Sequence, residues 1–324
     1  MGRGTTTGVE IKTEDRAILF VLGMARSGTA ALTRVVSLCG GTLPAGMLGA
    51  NRSNPRGYWE PRAAVIMNKA ILRSLGRTGI DPSLRLQEAP IDAEAEAACI
   101  GKIRGYLTTL PAAPLVVIKD PQITVLSEMW FEAARQSEFK VMTVIAVRHP
   151  EEVTASMARF LRASPEFSGA LWLKYNLLSE RTTRGLPRVF VEYSNFLDDW
   201  RRETKRISAA LEIDLDTRDE RAIDTFLERD FHHHQHRGPI TEQFGTEWFS
   251  TVYEELSAAS RGEPADESAL DRVFDAYRAG EHGFREVVDD FHRFRKFSRL
   301  TPPSIEKLAI EVLATAHRHR GTWA

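Results

Sequence analysis

Short, continuous apolar runs are the feature that most limits how this chain can fold. They span residues 18–22, 115–118, 141–147 and 189–191, and they do not alternate with polar residues. A strand with one solvent face alternates, whereas a strand buried on both faces reads as an unbroken apolar run. Because sheets covered on both faces are mostly parallel, these runs predict a buried parallel sheet.

Helical patterns fill the segments between the runs. Residues 29–39 place their apolar side chains at helical spacing, and so do residues 94–110, 123–134, 151–161 and 171–181. Alternating strands and helices predict an α/β fold with a parallel β-sheet core flanked by helices. After residue 212 only helical patterns continue, at residues 218–228, 246–256, 267–279, 283–297 and 304–319.

These patterns also suggest a domain organisation for the 324 residues. We expect a flexible N-terminal tail over residues 1–16 and one domain over 17–324. That domain would have an α/β core at 17–212 and an α-helical C-terminal portion, 213–324, packed on it. A single domain of this length can bury a sizeable core.

Composition excludes several classes of protein. The 43 Lys and Arg residues balance 44 Asp and Glu residues, so no nucleic-acid partner is expected. The two cysteines, Cys39 and Cys99, have no metal or redox spacing and suit a reducing compartment. The first residues lack the apolar stretch of a signal peptide, and we find no transmembrane segment. We therefore expect a cytoplasmic protein.

A glycine-framed loop follows the first apolar run. Gly23 and Gly28 enclose four residues, and such a backbone wraps so that its N–H groups converge on an anion at a helix N-terminus. Loops that bind ATP with Mg²⁺ continue with Lys and then Ser or Thr. Here Thr29 and Ala30 occupy those positions, and the cation has moved forward to Arg26. The loop predicts a phosphate site without a magnesium ligand.

This segment resembles the 5′-phosphosulfate loop of sulfotransferases that use 3′-phosphoadenosine 5′-phosphosulfate (PAPS). In that family a basic residue precedes Ser-Gly-Thr, which here reads Arg26-Ser27-Gly28-Thr29. The resemblance covers roughly residues 17–200 and extends to bacterial and carbohydrate-type members. It implies a P-loop-like fold, PAPS as the donor and no required metal.

A second motif follows the run at 141–147. Arg148 and Pro150 come directly after it, and Ser156 lies eight residues beyond Arg148. The arginine leaves the strand end while the serine lies on the next helix, so both can converge on one phosphate. In the family this pair holds the 3′-phosphate, a group that ordinary nucleotides lack.

Further polar residues follow the other runs. Lys119, Asp120 and Pro121 come directly after the run at 115–118 and are similar to a Lys-Asp-Pro segment of bacterial members. Ligands of open parallel sheets bind beyond the carboxyl ends of the strands, so all these motifs are expected at one edge. The resemblance also implies that Tyr193 abuts the adenosine, and that Arg237 stands in a late basic-Gly nucleotide loop.

The predicted reaction is an in-line displacement, in which positioning and charge stabilisation carry most of the catalysis. Negative charge grows on the leaving phosphate oxygen of the donor. We expect the guanidinium of Arg26 to stabilise it, assisted by Lys119 and by the backbone amides of the loop. These amides belong to Ser27, Gly28, Thr29 and Ala30.

The acceptor hydroxyl, or less readily an amine, also needs a general base. Glu60 is the first candidate, because it lies in a long loop rich in Gly, Pro and aromatic residues and because carbohydrate and protein-tyrosine sulfotransferases are similar in using a Glu base. Asp120 is the second candidate and could equally orient Lys119. His149 is the third. No spacing names the acceptor, which could be a glycan, a lipid or a small molecule, and none indicates the oligomeric state.

Other interpretations stay open at this stage. A P-loop kinase or nucleoside-triphosphatase is disfavoured by Thr29 and Ala30. A non-catalytic nucleotide-binding protein would use its helical C-terminal portion as the functional surface. The histidine-rich run at 232–236 lacks a partner cluster at ligand spacing, so a solvated loop is expected there. Trp172, Tyr175 and Asn176 either line the acceptor cleft or pack in the core.

Overall fold

The computed structural model describes residues 16–51, 54, 56–88, 91–217, 219–227, 238–244 and 246–281. Arg237, the histidine-rich run at 232–236 and the helices predicted at 283–297 and 304–319 lie outside these ranges. The chain divides into two compact units, Met1–Phe274 and Asp275–Ala324. In the second unit, residues 275–281 are helical. The domain boundaries predicted from the sequence stay predictions.

The first unit is built on one parallel sheet with the strand order β2-β1-β3-β4. Its strands are β1 (Ala17–Leu22), β2 (Leu115–Ile118), β3 (Lys140–Val147) and β4 (Arg188–Glu192). Each apolar run predicted as a strand is confirmed to within one residue at either end. The predicted fold class, a parallel sheet flanked by helices, is therefore confirmed.

Helices connect the strands and cover the sheet. Between β1 and β3 lie α1 (Thr29–Leu38), α2 (Arg62–Ser74), α3 (Arg85–Glu88), α4 (Ala93–Leu107), α5 (Pro121–Val125) and α6 (Ser127–Gln136). Between β3 and β4 lie α7 (Pro150–Leu161) and α8 (Pro165–Thr182). After β4 come α9 (Tyr193–Asp198), α10 (Trp200–Leu211), α11 (Glu220–Leu227) and α12 (Trp248–Ser260), and residues 267–274 are helical.

Strand β1 shows why its run is apolar throughout. Successive side chains of a strand point to opposite faces, so a strand covered on both sides has no polar positions. Leu19 and Val21 lie in the apolar core that includes α1 and α10. Phe20 instead contacts the rings of Trp130 and Phe131 in α6, at 5.8 Å and 5.5 Å between centroids. The sheet is thus buried between two layers of helices.

One helix prediction is wrong, and four of the observed helices have no counterpart among the predictions. The single helix predicted at 123–134 is wrong, because the chain leaves helical geometry at Leu126 and forms α5 and α6. The apolar spacing continues across this break, so periodicity alone cannot detect it. The helices without a prediction are α2, α3, α9 and α10. In α10, charged residues obscure the buried stripe at Trp200, Ile207 and Leu211.

The strand order sets the position of the functional site. The chain leaves β1 towards β2 on one side, and it leaves β3 towards β4 on the other side. The connections therefore diverge between the neighbouring strands β1 and β3, which makes a crevice at their carboxyl ends. The glycine-framed loop follows β1 and Arg148 follows β3, so both border this crevice.

Candidate active site

The loop after β1 has the backbone geometry of an anion cradle. Gly23 and Gly28 have φ angles of 121° and 89°, a region that favours glycine. A Cβ on Gly23 would lie 2.8 Å from the carbonyl oxygen of Ala146, and one on Gly28 would lie 2.1 Å from the ring of Tyr193. Both glycines are therefore required by conformation and by close packing.

The same loop holds polar groups that suit an anion. Ser27 is 1% exposed, and its Oγ has no hydrogen-bond partner among the described residues. Within the described chain, no side chain caps the N-terminus of α1, which begins at Thr29. A buried hydroxyl without a partner is costly, and the first amides of a helix attract negative charge. The predicted phosphate-binding positions, including Ala30 in the first turn, thus lie at this helix start.

Arg26 projects from the loop in a left-handed backbone conformation, with φ of 76°. Its Nε donates to Ser156 Oγ at 2.8 Å, and its guanidinium lies 5.4 Å from the ring centroid of Phe160 in α7. Burial, and next the neighbouring Arg148, lower the pKa of Arg26. A cation that is partly desolvated beside another cation is prepared to receive an anion.

Arg148 is held on several sides. Its Nε donates to Glu152 Oε2 at 2.7 Å, and its Nη1 donates to the backbone oxygen of Arg26 at 2.9 Å. Its guanidinium lies 4.6 Å from the ring centroid of Tyr193, and its own carbonyl accepts from Trp172 Nε1 at 3.0 Å. The predicted partners Arg148 and Ser156 are thus both brought to Arg26.

The second cluster joins Lys119 to Glu60. Lys119 Nζ lies 2.5 Å from Glu60 Oε1 and donates to the backbone oxygen of Tyr58 at 3.2 Å. The side chains of Lys119 and Glu60 are 4% and 12% exposed, so this is a largely desolvated ion pair. The structure therefore brings together the predicted strand-end lysine and the first candidate for the general base.

An arm between α1 and α2 carries Glu60 to this position. Glu60 O accepts from the amide of Leu48 at 2.7 Å, which pairs the two limbs of the arm. Trp59 has φ of 54°, lies under the guanidinium of Arg34 in α1 at 4.5 Å, and contacts the ring of Phe226 in α11 at 6.3 Å. Packing of Trp59 between two helices thus fixes the neighbouring carboxylate.

The other two candidate bases cap helices. Asp120, 1% exposed, accepts from the amide of Gln122 at 3.1 Å and from Asn68 Nδ2 at 2.9 Å, and it caps α5. Burial, followed by the charge of Glu60, raises the pKa of Asp120. His149 caps α7, where its Nδ1 accepts from the amide of Glu151 at 3.3 Å. Both side chains have clear structural roles.

Several predicted positions are buried by packing. Tyr193 covers Gly28 and the guanidinium of Arg148, and burial raises the pKa of its hydroxyl. Trp172, Tyr175 and Asn176 are all buried, which confirms the core interpretation for this group. Sequence reasoning missed Glu152, although its position four residues after Arg148 is a common spacing for an ion pair. It also missed Trp59 as the anchor of the arm.

Neither a membrane helix nor a metal cluster is found in the part of the chain that the structure describes. None of its helices is long and apolar enough to cross a bilayer. No three or more His, Cys, Asp or Glu residues there are grouped to hold a metal ion. Cys39 and Cys99 are buried free thiols.

The comparisons with known proteins give matches in structure but not in sequence. No family model matches this chain, and no curated protein sequence matches it. Among solved structures, one similar chain is the sulfotransferase domain from the Synechococcus PCC 7002 olefin synthase. It is 18% identical, with a TM-score of 0.45, and the match covers 75% of this chain and 94% of that domain. In structure, this chain is similar to that sulfotransferase domain.

Proposed function

We propose that this protein is a sulfotransferase that moves a sulfuryl group from PAPS to a hydroxyl of its acceptor. The observation that carries the proposal is the direct contact between the two anion-binding motifs. Arg26 of the loop donates to Ser156, and Arg148 donates to the backbone of Arg26. Two phosphate-binding groups side by side suit a nucleotide with phosphates at both the 5′ and 3′ positions, which ATP does not have.

The residues present fit this donor. The loop amides, Ser27 and Arg26 would hold its 5′-phosphosulfate, and Arg148 with Ser156 would hold its 3′-phosphate. The unpartnered hydroxyl of Ser27 supports an anion in the loop. Ala30 stands where a magnesium-binding hydroxyl would be needed, so we propose that no metal takes part. When bound, the donor supplies an activated sulfuryl group with a good phosphate leaving group.

The chain's own residues then divide the chemical work. A carboxylate oxygen of Glu60 accepts the proton of the acceptor hydroxyl. Loss of this proton makes the hydroxyl oxygen of the acceptor nucleophilic. Arg26 and the loop amides stabilise the negative charge that develops on the leaving phosphate oxygen. Lys119 pairs with the carboxylate of Glu60 and offers its ammonium to the transferred group.

Glu60 is preferred as the base because of what holds each candidate. Asp120 is buried, and both of its oxygens accept hydrogen bonds that shape α5 and α2. The Nδ1 of His149 is occupied at the start of α7. Glu60 instead lies on an arm beside the lysine that follows β2. We further propose a glycan, lipid or small-molecule acceptor, with a hydroxyl preferred over an amine, and a cytoplasmic location.

Ligand-induced thermal stabilisation tests the donor. We expect 3′,5′-adenosine bisphosphate to raise the melting temperature and ATP with Mg²⁺ to have little effect. Ligand at about a hundred times its dissociation constant adds roughly 2.7 kcal/mol to the free energy of unfolding. If ATP with Mg²⁺ stabilises the protein and the bisphosphate does not, the sulfotransferase proposal is wrong and a kinase or nucleoside-triphosphatase is favoured.

A further inference from the structure

We propose that Glu152 is the positioning residue that aims the guanidinium of Arg148 at the 3′-phosphate of the donor. The inference rests on the proposed function and adds a residue that the two phosphate-binding motifs do not contain. Glu152 does not touch the nucleotide in this proposal. It acts through Arg148, and it thereby determines how much more tightly the site binds a 3′-phosphorylated nucleotide than one without a 3′-phosphate.

The contacts of Arg148 leave one part of its fork open. Its Nε donates to Glu152 Oε2, and its Nη1 donates to the backbone oxygen of Arg26. The ring of Tyr193 covers one face of the guanidinium. No acceptor for Nη2 occurs among the residues that the structure describes. A planar guanidinium held at one edge and on one face can present its remaining N–H groups in only one direction.

Burial makes the contact with Glu152 strong. The side chains of Arg148 and Glu152 are 12% and 8% exposed, and their contact is a charge-assisted hydrogen bond on the first turn of α7. A buried carboxylate without its partner would be costly, so Glu152 holds Arg148 in place even when no ligand is bound. A group oriented before binding loses less conformational freedom when the ligand arrives.

The charge of Glu152 also allows two guanidinium groups to share the crevice. Arg148 lies close enough to Arg26 to lower the pKa of Arg26. The carboxylate of Glu152 pairs with the guanidinium of Arg148 and so balances one of the two positive charges. It thereby keeps Arg148 against the backbone oxygen of Arg26, whose left-handed conformation shapes the phosphate loop.

The test measures dissociation constants for two nucleotides by calorimetry. The ligands are 3′,5′-adenosine bisphosphate and 5′-AMP, which differ only in the 3′-phosphate. We expect Glu152→Ala to weaken the bisphosphate about tenfold, a typical effect of losing a hydrogen bond to a charged group, and to change 5′-AMP little. Glu152→Gln keeps an oxygen that can accept from Nε, so we expect it to restore most of the preference.

Two further variants serve as controls. Glu151→Ala removes a carboxylate from the same turn of α7 without touching Arg148, so it should leave the ratio of the two affinities unchanged. Arg148→Ala should abolish the preference for the bisphosphate. Since Glu152 acts through Arg148, this loss is the largest change in the ratio of affinities that a Glu152 variant can cause. Melting temperatures of all variants report any general loss of stability.

The remaining outcomes would overturn the inference in distinct ways. Equal losses for both nucleotides in Glu152→Ala would show a purely structural role. Tighter bisphosphate binding in both Glu152 variants would show that the carboxylate repels the phosphate more than it orients Arg148. A wild-type protein that binds both nucleotides equally would instead overturn the proposed function itself.

Discussion

At the scale of single residues, Glu60 and Asp120 lie beside the same cation, Lys119, and differ in what else holds them. Asp120 is tied to Asn68 and to the start of α5, and its burial favours the protonated form. Glu60 is instead paired with Lys119, and in the proposed reaction the incoming sulfuryl group draws this lysine away. The same chemical group therefore has a structural role at one position and suits proton transfer at the other.

Replacing Glu60 with glutamine should separate catalysis from binding. We expect Glu60→Gln to lower turnover by about 10²–10⁴-fold, the usual contribution of a general base, because the amide cannot accept the acceptor's proton. Affinity for 3′,5′-adenosine bisphosphate should stay near that of the wild type. The measurement is the rate of bisphosphate release from PAPS with any acceptor that the wild-type protein uses.

The variant Glu60→Asp is the matched control for this experiment. It keeps a carboxylate on a shorter side chain, so it should retain more activity than Glu60→Gln. Near-normal turnover in Glu60→Gln would move the role of the base to Asp120.

At the scale of elements, the start of a helix holds Asp120 and an anchored arm holds Glu60. Asp120 caps α5 and also accepts from Asn68, whose Oδ1 in turn accepts from Trp130 Nε1 at 2.9 Å. This chain of hydrogen bonds joins α2, α5 and α6 under the site. Trp59 anchors the arm in a similar way, against Arg34 of α1. The side chains of the candidate site are therefore positioned by contacts with the elements behind it.

Removing the cap of α5 should destabilise the fold in a pH-dependent way. Asp120→Ala should lower the free energy of unfolding by about 1–3 kcal/mol, because it removes a cap and leaves the amide of Asn68 unpaired. The pKa of Asp120 is raised in the folded state, chiefly by burial, so the folded protein binds this proton more tightly than the unfolded chain.

The stabilising contribution of Asp120 is therefore complete below the pKa of an unfolded aspartate, about 3.9. It decreases as the pH rises through the pKa of the folded carboxyl group. Urea denaturation at pH 5 and pH 8 should show a smaller loss for Asp120→Ala at the higher pH. Asp92→Ala removes an exposed cap of α4, so it measures how much a helix cap alone contributes to the free energy of unfolding. A loss that grew with pH would contradict this assignment.

At the scale of the whole molecule, the site exists because two connections diverge from neighbouring strands. The loop after β1 and Arg148 after β3 meet across the crevice between these strands, and Tyr193 after β4 closes on both. A ligand bound there touches segments that are far apart in the chain. Binding of such a ligand should therefore protect several separate segments of the chain from hydrogen exchange at the same time.

Hydrogen exchange should show this distribution directly. We expect saturating 3′,5′-adenosine bisphosphate to slow exchange in residues 24–31 and in residues 148–157. The matched ligand 5′-AMP should protect the first segment and leave the second less protected, since it lacks the 3′-phosphate. Protection by the bisphosphate that omitted residues 148–157 would contradict binding between β1 and β3.

Much of the fold and part of the site could be predicted from local patterns. The four strands, the loop from Gly23 to Gly28 and the pair Arg148 and Ser156 are short segments whose residue types carry their own signal. The break at Leu126 and helix α10 could not be predicted, because continuous apolar spacing hid the first and surface charge hid the second. The roles of Glu152 and Trp59 depend on contacts that no local pattern records.

The sequence by itself determined the class of fold and the chemistry available at the strand ends. Unbroken apolar runs can be stable only when both faces are covered, and residue types that can bind an anion follow three of them, in the loop from Gly23 to Thr29, at Lys119 and at Arg148. The tertiary structure alone decided which of these groups meet. Arg148 contacts Arg26 across 122 residues of chain, and Lys119 contacts Glu60 across 59. The pattern of apolar residues along one element indicates which of its side chains are buried. The order of the strands depends instead on how helices that are distant in the chain pack on the sheet.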